Sequence, residues 1–243
     1  MTIAPTPLHD RSQWRRVQAL LVATFVILVV VGVVLLLRDH ESRPTPSSTA
    51  LQSPRTATTQ ARRLPEFHVV ELAGTNIVTI HVGRKQAVVV HAGAGGLGRV
   101  TTVVHGGRLV IGNTGGSFTS RTGMRVVVGV PSLTALTLTG TGVVTATGVK
   151  ASDLTVTLSG AGVLRATGTA TRLDVTLKGS GDARLEQLVA RDVHAVVSGS
   201  GRIHVTATSK LDAAVPGSGV IVYSGAPTQV TTSVTGSGAV VNG

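Results

Sequence analysis

A Gly-x-Gly phrase returns six times in the C-terminal half of the chain, and its spacing limits the possible folds more than any other feature. The copies are Gly140-Thr141-Gly142, Gly160-Ala161-Gly162, Gly179-Ser180-Gly181, Gly199-Ser200-Gly201, Gly217-Ser218-Gly219 and Gly236-Ser237-Gly238. Their first glycines lie 20, 19, 20, 18 and 19 residues apart, a period that belongs to stacked repeats. Apolar residues alternate on the approach to each copy, as in Leu154, Val156, Leu158 and in Leu173, Val175, Leu177. The alternation resumes afterwards with Val144 and Ala146, Leu164 and Ala166, Ile203 and Val205, and Ile221 and Tyr223. A period of two is a β-strand with one buried face. Each repeat therefore reads as one coil of about 19 residues in an all-β, parallel β-solenoid, with the glycines at a corner. Two demands favour glycine there: a positive φ, and a neighbouring coil that leaves no room for a side chain. The middle residue is always Ser, Thr or Ala, so small side chains should stack about 4.8 Å apart. A phosphate-binding loop would need a following helix and a third glycine, and neither is present.

Composition suits a narrow solenoid. Aromatic residues make up 2% of the 243, too few to fill a sandwich or barrel, whereas Val, Leu, Ile and Ala can line stacked coils. The absence of cysteine excludes disulfides and thiol chemistry. The net charge of +11 is spread over the chain, +5 on residues 1–64 and +6 on the rest. It favours anionic surfaces and polymers, or serves only to keep the protein in solution.

Ahead of the repeats, Val17 to Leu37 is apolar apart from Gln18, Thr24 and Gly32. At 1.5 Å per residue this run is about 31 Å long and matches a bilayer core, so it reads as one transmembrane helix. A cleaved signal peptide would have an apolar region of roughly 7–15 residues and an Ala-x-Ala-like end, whereas this run ends Leu35-Leu36-Leu37-Arg38. Arg11, Arg15 and Arg16 precede the helix, against Arg38 and Arg43 among Asp39 and Glu41 after it. Residues 1–16 are accordingly expected in the cytoplasm and the remainder outside it. Residues 38–64, rich in Pro, Ser and Thr, read as a disordered spacer. Residues 65–243 form the folded domain, irregular over 65–131 and regular over 132–243. Strands are expected in the irregular half at Phe67–Leu72, Ile77–Val82, Ala87–His91, Val100–Val104, Leu109–Ile111 and Met124–Val130, as an atypical covering for the open end of the solenoid.

The order Phe67-His68-Val69-Val70-Glu71-Leu72-Ala73-Gly74, Ile77 to Gly83, Gly107 to Ile111 and Val126 to Pro131, leading into the Gly-x-Gly repeats, resembles the auto-transporter adhesin head domain family over roughly residues 65–243. The resemblance implies a bacterial, β-helical domain at the cell envelope and an adhesive role. The N-terminal anchor departs from an auto-transporter, since no outer-membrane barrel segment is expected.

Three outward-facing groups carry the chemistry. Asp174, His194 and Asp212 each stand five residues before a corner glycine, so they should form one column, a histidine between carboxylates. That arrangement suits proton transfer in a glycan-active enzyme, or equally an exposed ladder of compatible charges. Asp153 and Asp192, seven before their glycines, are expected in loops. Arg165 and Arg184 on consecutive coils, with Arg202 and His204 near them, should make a basic strip for an anionic polymer. With no aromatics interleaved, the strip is a poor nucleic-acid platform. Thr137, Thr139, Thr155, Thr157 and Thr176 should form a flat ladder, as on ice-binding solenoids or any exposed sheet. His68, His81, His91 and His105 share no spacing suited to a metal. The expected protein is a non-enzymatic binding, adhesion or scaffolding module, with the glycan-active enzyme as the alternative and no cofactor in either case. Expected partners are the membrane through residues 17–37, a cell-wall or other surface polymer, and a second copy through the last coil. Its strands near Val230–Val234 and Ala239–Val241 lack Lys, Glu and Pro.

Overall fold

A computed structural model describes residues 58–93, 95–114 and 124–243. The expected transmembrane helix at 17–37 lies outside the described residues, as do its flanking segment 1–16 and most of the spacer. Among the described residues no helix is long and apolar enough to cross a membrane. The fold is all-β, a solenoid of about five turns. Its strands are β1 (Thr58–Arg62), β2 (Val69–Ala73), β3 (Ile77–Val82), β4 (Ala87–Ala92), β5 (Val100–His105), β6 (Arg108–Asn113), β7 (Arg125–Val130) and β8 (Ala135–Leu138), followed by β9 (Val143–Leu158), β10 (Val163–Leu177), β11 (Asp182–Val197), β12 (Arg202–Val215), β13 (Val220–Ser224), β14 (Gln229–Val234) and β15 (Ala239–Asn242).

From β8 onward every strand pairing is parallel. Registers carry identical repeat positions onto one another: Leu154 lies beside Leu173, Leu173 beside Val193, Val193 beside Leu211, and Leu211 beside Val230. The alternating residues expected inside are buried, with Leu154, Val156, Leu158, Leu173, Val175, Leu177, Ala195, Val197, Leu211, Ala213 and Val215 all at 0% exposure. Tyr223 is only partly buried. Between one Gly-x-Gly corner and the next, β9, β10 and β11 run 15 or 16 residues. A second bend accommodates that length: Gly148 (φ +75) and Gly168 (φ +136) stand eight residues after Gly140 and Gly160, and Gly225 (φ +94) eight after Gly217.

The corner glycines themselves do not adopt positive φ, which corrects half of their expected rationale. Close approach alone requires them. A Cβ on Gly160 would fall on the carbonyl oxygen of Gly140, one on Gly179 on that of Gly160, and one on Gly199 on that of Gly179. At the second glycine the obstacle is also a core side chain: a Cβ on Gly162 would lie 2.8 Å from Leu138 Cδ2 and one on Gly201 2.7 Å from Leu177 Cδ2.

The N-terminal end is built differently. Strands β2 and β3 form a coil directly before the β8–β9 coil, while β6 and β7 stack on its far side. The chain thus lays down an inner coil first, then an outer one, and returns across both to β8. Beyond the outer coil run antiparallel strands, β5 on β6 and β4 on β7, with β1 on β4. Strand β1 lies inside the stretch 38–64 expected to be a spacer, so Thr58–Arg62 is strand and not spacer. Arg62 Nη2 donates to the carbonyl of Leu97 at 3.0 Å and fastens this strand to the cap. The corner of the inner coil is Gly74-Thr75-Asn76, and buried Asn76 exchanges hydrogen bonds of 3.0 and 3.1 Å with Asn113 of the next corner.

Candidate functional site

Each residue of the Asp174, His194 and Asp212 column falls in the strand segment that leads into a corner, where alternate side chains point outward. Registers pair Thr155 with Asp174, Asp174 with His194, His194 with Asp212 and Asp212 with Thr231. His194 Nδ1 lies 3.4 Å from Asp212 Oδ2, with the two side chains 48% and 45% exposed. Two residues earlier on the same outward face a second column runs Asp153, Arg172, Asp192, Lys210, Gln229. Asp153 and Asp192 are therefore strand residues and not loop residues, a correction to their expected placement. Asp153 pairs with Arg172, and Asp192 with Arg172 and Lys210, which keeps both positions in strand.

The two columns form a checkerboard. Arg172 stands beside Asp174, Asp192 beside His194 and Lys210 beside Asp212 along the strands, and from coil to coil opposite charges alternate through Asp153, Arg172, Asp192 and Lys210. Arg172 Nη1 donates to Asp153 Oδ1 at 3.5 Å. Between the columns is an open depression of about 240 Å³ lined by Arg172, Asp174, Asp192, His194, Lys210 and Asp212. It offers carboxylate acceptors and cationic donors side by side.

The basic strip comes together on the opposite stretch of each coil, just after the corner. Arg165 lies beside Arg184 and Arg184 beside His204, while Arg202 falls one column over, beside Asp182. Asp182 alters the expected character of this strip. Arg184 Nε donates to Asp182 Oδ2 at 2.6 Å, and His204 Nε2 stands 4.0 Å from Asp182 Oδ1. The hydrogen bond to Asp182, and then that carboxylate's charge, raise the Arg184 pKa above its ordinary value. Two of the four basic groups thus face a shared carboxylate. The signal was readable, since Asp182 is two residues before Arg184 and must share its face.

The threonine column runs Thr137, Thr157, Thr176 and then passes to Val196 and Ala214. Thr155 instead heads the column of Asp174, and Thr139 sits at a corner, its N–H donating to the carbonyl of Leu72 at 2.9 Å. Three of the four histidines meet hydroxyls: His68 pairs with Ser132, His81 with Thr147 and His91 with Thr59, each at 3.1 Å.

A family model described as "Putative auto-transporter adhesin, head GIN domain" matches residues 66–227. No curated protein matches the chain. Among solved structures, one described as a putative adhesin from Bacteroides fragilis is 22% identical with a TM-score of 0.66, covering 79% of this chain and 100% of that one, and it shows the same fold. A structure described as a putative lipid binding protein from Parabacteroides distasonis is 20% identical (TM-score 0.46; 77% of this chain, 96% of that one). A putative adhesin from Parabacteroides merdae is 16% identical (TM-score 0.46; 77% and 96%).

Proposed function

We propose, from the premise that this chain belongs to the auto-transporter adhesin head GIN domain family, that it is a single-pass, membrane-anchored solenoid displaying a non-enzymatic binding module outside the cytoplasm of a bacterium. The observation that carries this reading is the half-exposed checkerboard of Arg172, Asp174, Asp192, His194, Lys210 and Asp212 on a continuous sheet. Its regular spacing, one coil per step, matches an extended polymer better than a single small molecule. The ligand class is a hydroxyl-rich cell-wall or surface polymer. Arg165 and Arg202, on the other strip, would add attraction for anionic forms of it. The apolar run Val17–Leu37 supplies the anchor.

The test is binding of the full chain to an array of surface polysaccharides and cell-wall polymers. Arg172→Ala with Lys210→Ala should lose the signal on neutral polymers, whereas Arg165→Ala with Arg202→Ala should lose it only on anionic ones. Binding to no polymer, or binding indifferent to both pairs, would sink the proposal. On intact cells, added protease should release the domain by cutting between the apolar run and Thr58; a protected domain would reverse the orientation. A glycan-active enzyme is the second reading, favoured by the 3.4 Å approach of His194 to Asp212. It requires polymer turnover that His194→Ala abolishes.

A further inference from the structure

The two ends of the solenoid differ, and the difference points to a partner. At the N-terminal end, β5, β4 and β1 cover the outer coil, and Arg62 and Arg63 flank the outermost strand. At the other end, among the described residues, the coil of β14 and β15 has a neighbour on one side only. All six residues of β14 are exposed. Val230 and Val234 continue the buried columns of Leu211 and Val215, yet they are 44% and 45% exposed where those residues are at 0%. Core chemistry is laid open there.

Charge tells which partner fits. From Ala213 to Gly243 no Asp, Glu, Lys, Arg or His occurs, in a chain of net charge +11 whose preceding coils all carry ionic residues. Exposed strand edges are normally protected by inserted charge, and this one is not. Two identical surfaces generally repel through their like charges, but these two meet without that cost. Head-to-tail stacking would set this uncharged edge against β1, which carries Arg62 and is followed by Arg63, whereas two C-terminal edges can meet across a two-fold axis, which brings β14 antiparallel to its own copy. We propose that a second copy of this chain occupies the open edge, joining two solenoids end to end in a symmetric dimer through β14 and β15.

The absence of cysteine makes the test clean. In the full chain, solubilised in detergent micelles, Cys is introduced singly at Gln229, Thr231 and Ser233, whose side chains share the outward face of β14. A residue near a two-fold axis meets its own copy, so at least one of the three should give a disulfide-linked dimer under mild oxidation, while Thr59→Cys at the capped end gives none. Sedimentation should show mass doubling with concentration, and Thr231→Lys with Ser233→Lys should weaken association at least about tenfold by placing like charges opposite one another. A monomer at every concentration would overturn the proposal. A dimer unaffected by the lysines would assign association to another segment, such as the apolar run. Slow hydrogen exchange of the β14 amides in a monomer would mean that the chain covers its own edge.

Discussion

At the residue scale, the corner glycine is required by what lies one coil away. In Gly179→Ala the new methyl would strike the Gly160 carbonyl, backbone that cannot move without separating two coils. Thermal or denaturant unfolding should show a loss of at least about 2 kcal/mol, the range for forcing atoms into a packed interior. Exposed Ser180→Ala should stay within about 0.5 kcal/mol of the parent; equal midpoints for the two would refute the close-approach account. Asn76 is the instructive exception, an amide at the place where later coils have their second glycine. Its position faces Asn113 instead of a core leucine, so a side chain fits and finds a partner. Asn113→Ala should cost about 1–3 kcal/mol by leaving the buried Asn76 Oδ1 unpaired and its Nδ2 with only the 3.4 Å bond to the Gly112 carbonyl. Adding Asn76→Gly should recover part of it, a coupling that a double-mutant cycle measures.

At the scale of the element, the strand leading into each corner brings the candidate site together. Its inward residues hold the coils in register, and register then sets Arg172 between Asp153 and Asp192, and His194 between Asp174 and Asp212. Exposed pairs of this kind contribute little singly. Asp192→Asn should therefore be close to neutral. Asp192→Lys would place three cations in succession with Arg172 and Lys210, and should destabilise by about 1 kcal/mol at low salt, an effect fading near 1 M NaCl as the screening length shrinks to about 3 Å. Unfolding curves at two ionic strengths check both, and a salt-independent loss for the lysine variant would mean a packing defect. The column of Asp174, His194 and Asp212 was legible because equal distance from a repeating glycine is equal position on the coil. The strand placement of Asp153 and Asp192 was not, since polar residues look alike in a loop and on the wet face of a sheet.

For the whole molecule, the decisive contrast is between an end that finishes in antiparallel strands, β1 and β5, and one that finishes in parallel strands, β14 and β15. Strand β1 shields the outer edge of β4, which reads Ala87-Val88-Val89-Val90-His91-Ala92. Deleting residues 58–62 would leave that apolar edge unpaired, and light scattering should report concentration-dependent aggregation together with a lower unfolding temperature. If residues 58–62 can be removed without either change, β1 is a spacer after all. The opposite end, neutral and apolar at Val230 and Val234, is the natural site for contact with another molecule.

The sequence by itself determined the solenoid, its coil length, its inward residues and the columns on its faces. All of these follow from two periods, two residues along a strand and about 19 between coils, which leave a one-dimensional stack as the way to bury every apolar position. Tertiary structure alone decided the order of the first coils and the antiparallel cap with β1 in it. Those depend on contacts between segments tens of residues apart, such as β2 with β8 and Asn76 with Asn113. Without a repeat to index them, such contacts leave no local trace in the chain, because what selects them is the fit of surfaces that exist only once the coils have stacked.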